Sequence, residues 1–85
     1  MIIRFHRNFE KDYWRASAKI KLKFKERLEL FSEDEFSSVL NNHPLKGGFA
    51  GYRSINITGD IRAIYKKTDT AVIFVALDSH GKLYR

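Results

Sequence analysis

Seven consecutive apolar residues, Ala71-Val72-Ile73-Phe74-Val75-Ala76-Leu77, run uncharged between the polar turn Lys67-Thr68-Asp69-Thr70 and the polar exit Asp78-Ser79-His80-Gly81. A strand of that composition has no side to give to water, which predicts a central strand buried on both faces. A chain containing such a strand must also supply its cover. That cover is legible upstream, where Phe9, Tyr13, Ala16, Ile20, Phe24, Leu28 and Phe31 recur at spacings of three and four, the stripe of a helical face. Residues 19–25 also alternate Lys with apolar residues, which is a strand pattern. The longer stripe passes through both ends of that piece, and no Gly or Pro interrupts residues 8–31, so the reading is helix. A break near Ala16-Ser17 would divide it into a helical hairpin.

The remaining segments follow from local signals. Ile2, Ile3 and Phe5 interleave with Arg4 and His6, as in a short first strand, and Asn8 is placed to cap the helix after it. Ser32 followed by Glu33-Asp34-Glu35 predicts a further short helix to about Leu40, its acidic groups lying in solvent at the positive end of the dipole. Asn41-Asn42-His43-Pro44 would end it. From Phe49 the character changes: Tyr52 to Ile57 alternates, Thr58-Gly59-Asp60 is a turn, and Ile61 to Lys66 forms a second strand before the apolar one. The predicted fold class is α+β: an N-terminal strand, a helical hairpin, then three to four antiparallel strands, with the helices on one face of a curved sheet. At 85 residues the expectation is a single domain spanning 1–85.

Charge narrows the partners. Sixteen Lys and Arg against ten Asp and Glu give a net charge of +6, which points to a polyanion or an acidic protein, or only to a basic surface. Lys19, Lys21, Lys23, Lys25 and Arg27, with Leu22, either dock an acidic partner or form a solvated helix face. The absence of cysteine excludes disulfides and thiolate metal sites and fits a reducing, cytoplasmic setting. No apolar run approaches the ~20 residues of a membrane span, and the N-terminal apolar stretch is too short for a signal peptide. The three His are widely spaced and lack a paired H-x-x-H, so no metal site is expected.

Several polar residues could carry chemistry, and each has a plainer reading. His43 could be a helix-end histidine beside a turn proline, or an imidazole that titrates near neutrality. Lys46 with Gly47-Gly48 could be a turn, or a place where a phosphate backbone approaches closely. Asp60 and Arg62 are two apart, so on one strand they would share a face. They could form a surface ion pair, or a guanidinium held by a carboxylate and aimed at a phosphate. Arg53 and Asn56 lie on the strand before them. His80 and Tyr84 could pack against the sheet, or serve as proton donor and base-stacking platform.

Taken in order, these residues carry more than they do singly. His43, Leu45, Gly47, Gly51-Tyr52-Arg53, Asp60, Arg62, Tyr65, His80 and Tyr84 resemble the run His-x-Leu-x-Gly…Gly-Tyr-Arg…Asp-x-Arg…Tyr…His-x-x-x-Tyr of the RelE/ParE toxin superfamily. Within it the chain looks most like the YafQ-like messenger-RNA interferases of type II toxin–antitoxin systems. The motif covers the C-terminal half, while the N-terminal strand and hairpin match only the family's architecture, the RelE-like microbial RNase fold.

The resemblance implies a cytoplasmic toxin that cuts messenger RNA in the ribosomal A site, with contacts to 16S rRNA, masked by a cognate antitoxin. It implies no metal, small-molecule cofactor or membrane. The chemistry would be attack of a ribose 2′-hydroxyl on its neighbouring phosphate, leaving a cyclic phosphate and a free 5′-hydroxyl. By this resemblance His80 is the general acid, Asp60 or His43 the base, and Arg62 steadies the phosphate. Tyr84 is the stacking aromatic, while Lys46 and Arg53 bind substrate. Where YafQ-like proteins place a further Asp and His after Gly-Tyr-Arg, this chain has Ser54 and Asn56. Neither supplies a proton in the same way, which shifts the burden to His80 and Arg62. The alternatives within the superfamily are a ParE-like inhibitor of DNA gyrase, or a catalytically weak toxin acting as its antitoxin's co-repressor.

Overall fold

The computed structural model describes residues 2–83, the side chain of His80 excepted; the stacking role expected of Tyr84 therefore lies outside the described residues. Strand β1 (Ile2–Phe5) leads into helix α1 (Arg7–Arg15). The residue that caps α1 is His6, whose Nδ1 accepts the Asn8 N–H at 3.0 Å, rather than Asn8 as the sequence suggested. His6 leaves β1 with extended backbone, which puts its ring in the capping position and moves Asn8 into the first turn. The hairpin break falls at the expected place. Ala16 is extended, and the Ser17 hydroxyl accepts the Ile20 N–H to start helix α2 (Ala18–Glu33). The alternating lysine piece is thus helical.

The Ser32–Leu40 helix does not form. Ser32 stays inside α2 and donates its hydroxyl to the Leu28 carbonyl, and Asp34 then ends the helix and takes the Phe36 N–H on Oδ1. A single 3₁₀ turn (Ser38–Leu40) follows, and Asn41 adopts a left-handed conformation at φ 45°. Residues expected to finish a helix instead make a two-residue strand, β2 (His43–Pro44).

Strands β3 (Tyr52–Asn56), β4 (Ile61–Lys67) and β5 (Ala71–Ser79) follow, with a short helix α3 (His80–Leu83) after β5. Among the described residues the sheet has five strands in the order β1-β5-β4-β3-β2. Strand β1 is parallel to β5, and the other neighbours are antiparallel. Helix α1 continues past the end of β1, where the Asp12 carboxylate accepts the Leu77 N–H at 3.0 Å.

Strand alternation separates two faces. Ile55, Ile57, Ala63, Tyr65, Val72, Phe74 and Leu77 point to the helices and join Phe9, Phe24, Phe31 and Leu40 in the core. Phe74 is its hub, with ring centroids of Phe9, Phe24 and Phe31 at 5.7, 5.6 and 5.6 Å. Strand β5 is interior but not buried on both faces as expected, since Ile73, Val75 and Ala76 are only half-buried. The helices cover one side only, and a bulge opposite Ile64/Tyr65 leaves Val75 without a partner on β4. The other face carries Ser54, Asn56, Arg62 and Ile64.

Candidate active site

Arg62 sits on the helix-free face of β4 and is only 8% exposed. Each nitrogen of its guanidinium has a neighbour. Nε donates to Ser54 Oγ at 2.9 Å, Nη1 donates to Asn56 Oδ1, and Nη2 lies 3.1 Å from His43 Nδ1 and 3.5 Å from Nε2. The backbone explains the convergence. Asn56 and Arg62 are both three residues from Gly59 and pair directly across the hairpin, with Ser54 opposite Ile64 two register steps along, on the same face. Pro44 confines the preceding residue to extended backbone, and His43 pairs with Ser54.

The partners of this buried cation among the described residues are all uncharged acceptors or a ring nitrogen. Among the described residues no ion pair reaches Arg62. Asp78, its register partner on β5, uses Oδ1 to accept the Ser79 N–H instead. The ion pair expected between Asp60 and Arg62 is absent, because Asp60 stands in the turn before β4, exposed, with its N–H on Thr58 Oγ1. A buried guanidinium held in place by neutral groups retains its attraction for an anion.

His43 has two competing bonds at one atom. Its Nδ1 is 3.0 Å from the Asn41 carbonyl, which can only accept, and 3.1 Å from an Arg62 nitrogen, which can only donate. A proton on Nδ1 satisfies Asn41 and leaves the Nε2 lone pair facing Arg62 Nη2, 3.5 Å away. A proton on Nε2 satisfies Arg62 instead. The imidazole can thus exchange roles without leaving the site, as a group that takes up or delivers a proton must.

The remaining candidates divide. Ile61 pairs with Ser79, so Asp60, in the turn before β4, and His80, the first residue of α3, stand just beyond the adjacent ends of β4 and β5, at the same end of the sheet as Arg62. Lys46 is exposed between β2 and the 3₁₀ turn Gly47–Phe49, where Gly47 and Gly51 have φ of 64° and 90°. Arg53 pairs with Tyr65 and so belongs to the helix side, away from Arg62. There its Nε donates to Asn42 Oδ1 at 2.8 Å and its guanidinium lies 5.2 Å from the Phe36 ring centroid.

Asn42 connects Arg53 to a polar cluster that sequence reasoning missed. Its Nδ2 donates to the Tyr65 hydroxyl at 2.7 Å, which donates in turn to Glu35 Oε2 at 2.7 Å, while Lys67 Nζ lies 2.6 Å from Oε1. The Glu35 side chain, expected in solvent, is 8% exposed. Burial pushes its carboxyl up, but the Lys67 ammonium and the Tyr65 hydroxyl outweigh that and hold it below the usual range. Burial, with the Glu35 carboxylate beside it, pushes the Tyr65 phenol up to about 12. Ser54 and Asn56 were also missed as holders of Arg62. The available signal was their place on the same hairpin face, two and zero register steps from it. Among the described residues no cluster of His, Asp and Glu could hold a metal ion, and no helix is long and apolar enough to cross a membrane.

The family model for the bacterial toxin of type II toxin–antitoxin systems, YafQ, matches residues 1–85. The chain belongs to that family. It is 33% identical over 64 residues to the mRNA interferase toxin YafQ of Escherichia coli, covering 75% of this chain and 70% of that one. The crystal structure of Escherichia coli YafQ superposes with a TM-score of 0.84 at 26% identity, over 98% of this chain and 97% of the other. YafQ within the Escherichia coli DinJ–YafQ complex gives 0.72 at 29% identity, with 98% and 97% covered. The strand order and hairpin above are therefore those of a YafQ-type toxin.

Proposed function

We propose that this chain is an endoribonuclease toxin that cuts messenger RNA in the ribosomal A site, contacting 16S rRNA there, and is neutralised by a cognate antitoxin. One observation carries the reading: a nearly buried guanidinium, held by Ser54 and Asn56, touches an imidazole and has no carboxylate partner among the described residues. That is a seat for a phosphate undergoing substitution, with a proton-transfer group beside it. The family match and the interferase relative supply the class of substrate. The DinJ–YafQ complex supports the antitoxin.

In the proposed reaction a ribose 2′-oxygen bonds to the adjacent phosphorus and the bond from phosphorus to the 5′-oxygen breaks. The 2′-hydroxyl proton passes to Asp60 or His43, and His80 protonates the leaving 5′-oxygen. Products are a 2′,3′-cyclic phosphate and a 5′-hydroxyl. Arg62 binds the equatorial oxygens as charge develops on them, Tyr84 stacks a base, and Lys46 meets the backbone. The groups named supply base, acid and positive charge, so the proposal calls for no metal or cofactor.

Primer extension on ribosome-bound transcripts after induction tests this directly. Discrete cuts are expected from the wild type, and none from a folded His80→Ala, Asp60→Ala double variant. Undiminished cutting by that variant would sink the assignment of the site. Cleaved chromosomal DNA with intact transcripts would instead identify a gyrase inhibitor.

A further inference from the structure

The five basic residues of α2 do not form one face. On a helix, Lys19, Lys23 and Arg27 succeed one another every four residues along one flank, about 6 Å apart along the axis, while Lys21 and Lys25 lie on the opposite flank. The two flanks meet different surroundings. Lys21 lies over the Tyr13 and Trp14 rings at 5.8 and 5.0 Å, and Lys25 borders a hollow lined by Phe5, Phe9, Tyr13 and Trp14. Lys19, Lys23 and Arg27 instead wall a groove lined also by Val39, Asn56, Ile57 and the turn Thr58–Gly59.

Two features mark that groove as built for an anion. The Nε of Arg27 is buried and has no hydrogen-bond partner among the described residues, a donor that costs free energy unless something accepts from it. The charges are also nearly unopposed, since among the described residues their one carboxylate contact, Lys23 to Glu26 at 3.7 Å, is exposed and weak. The groove is continuous with the candidate active site, because Asn56 both lines it and accepts from Arg62 Nη1.

We infer that the Lys19–Lys23–Arg27 groove is a second phosphate-binding stretch, which seats the backbone of the same single RNA strand as it leaves the Arg62 site around the edge of the sheet. The inference rests on the RNA-cutting reading above. A single strand fits better than a protein segment for a stated reason. Protein interfaces centre on aromatic anchors, and the aromatic residues beside α2 are on its other flank. A row of cations one helical turn apart suits successive phosphates, and the row leads directly to a buried arginine.

The test is binding of a fluorescent single-stranded heptanucleotide, 2′-O-methylated so that it cannot be cut, to the full chain over a range of salt. Lys19→Gln, Lys23→Gln and Arg27→Gln together should weaken binding by about tenfold or more and flatten the logarithmic salt dependence by about 2, at ~0.7 per lost phosphate contact. Lys11→Gln, Lys21→Gln and Lys25→Gln, an equal change in charge, should cost less than about threefold, taking the small effect of charges remote from the strand. A dinucleotide too short to reach from Arg62 to α2 should bind the groove variant like wild type. Lys19→Gln alone, at an exposed helical position, provides a variant whose folding is not at risk and should cost about two- to threefold.

Equal losses from the two triple variants, or an unchanged salt slope, would overturn the groove. So would unaltered RNA binding with weakened binding to the antitoxin, which would make it a protein-docking surface. A wild-type chain that cuts transcripts while its groove variant binds normally refutes this inference alone. A wild-type chain that neither cuts nor binds RNA refutes the reading beneath it.

Discussion

The two faces of the sheet each hold an arginine in a polar cluster, and the clusters differ in one component. On the helix side, Arg53, Asn42, Tyr65, Lys67 and Glu35 form a closed set in which a carboxylate meets the cations. On the open side, Arg62 is bonded to Ser54 and Asn56 and touches His43, with no carboxylate partner among the described residues. Hydrogen bonding is similar on both sides, but only the helix-side cluster contains a counter-charge, the Glu35 carboxylate against Lys67 and Arg53. A satisfied cluster fixes the position of one part of the fold against another, here the segment after α2 against β3 and β4. An unsatisfied one keeps its charge for a ligand. The contrast shows that the presence of arginine says little until its counter-charge is located.

Removing each arginine in turn should break or uphold that contrast most sharply. Arg62→Ala is expected to reduce transcript cutting by about 10²–10³-fold, the scale of losing a group that stabilises developing charge. Arg62→Lys keeps a charge but cannot reach Ser54, Asn56 and His43 together, and should recover only part of the activity. Arg53→Ala should leave cutting within about threefold of wild type and lower the melting temperature instead, as loss of a hydrogen bond and a cation–π contact does. Primer extension and thermal melting on the same preparations read both. Comparable losses of cutting in the two alanine variants would erase the distinction between the faces.

Much of this was legible in the sequence, and the limits are physical. The hairpin break at Ala16-Ser17, the turn at Thr58-Gly59-Asp60 and the core strand showed because periodicity and capping are local. The segment from Ser32 to Leu40 misled because the Ser32 hydroxyl can bond backward to Leu28 as readily as forward into a new cap. His43 and Arg62 were found as candidates, but their contact depends on β2, a strand of two residues with no pattern to read. The shared face expected of Asp60 and Arg62 holds only along a strand, and Asp60 lies in the turn before β4. Glu35 lies thirty positions from Tyr65, and nothing local distinguishes it from its neighbours Glu33 and Asp34.

Glu35 gives the next prediction. Its folded carboxyl lies below the ordinary value, so it contributes stability above pH of about 4.5 that is lost as pH falls through the depressed value. Glu35→Gln should destabilise the chain at neutral pH by about 2 kcal/mol, the scale of hydrogen bonds to a charged group. It should also flatten the acid limb of a plot of stability against pH, measured by urea unfolding. Because the cluster faces away from Arg62, cutting at a temperature well below the melting point should be unchanged. A variant that loses activity while remaining folded would show that the two faces are coupled.

Tyr65→Phe tests the same cluster from the other side and should have the smallest effect. The phenol is pushed up to about 12, above its ordinary value of 10.0, so the folded state favours the neutral form. That preference contributes fully below pH 10, and it disappears as pH rises through the shifted value. The substitution keeps the ring that meets Phe31 at 5.0 Å and Phe74 at 5.5 Å, so packing in the core is preserved. What goes is the hydroxyl that accepts from Asn42 and donates to Glu35, worth about 1 kcal/mol when both partners can re-pair. Unfolding followed between pH 9 and 12 should show wild type losing more stability than Tyr65→Phe, so that its advantage over the variant disappears as pH rises through that range. Parallel curves across that range would mean that the phenol titrates alike in folded and unfolded chains. The helix-side cluster would then owe its stability to Glu35, Lys67 and Arg53 alone.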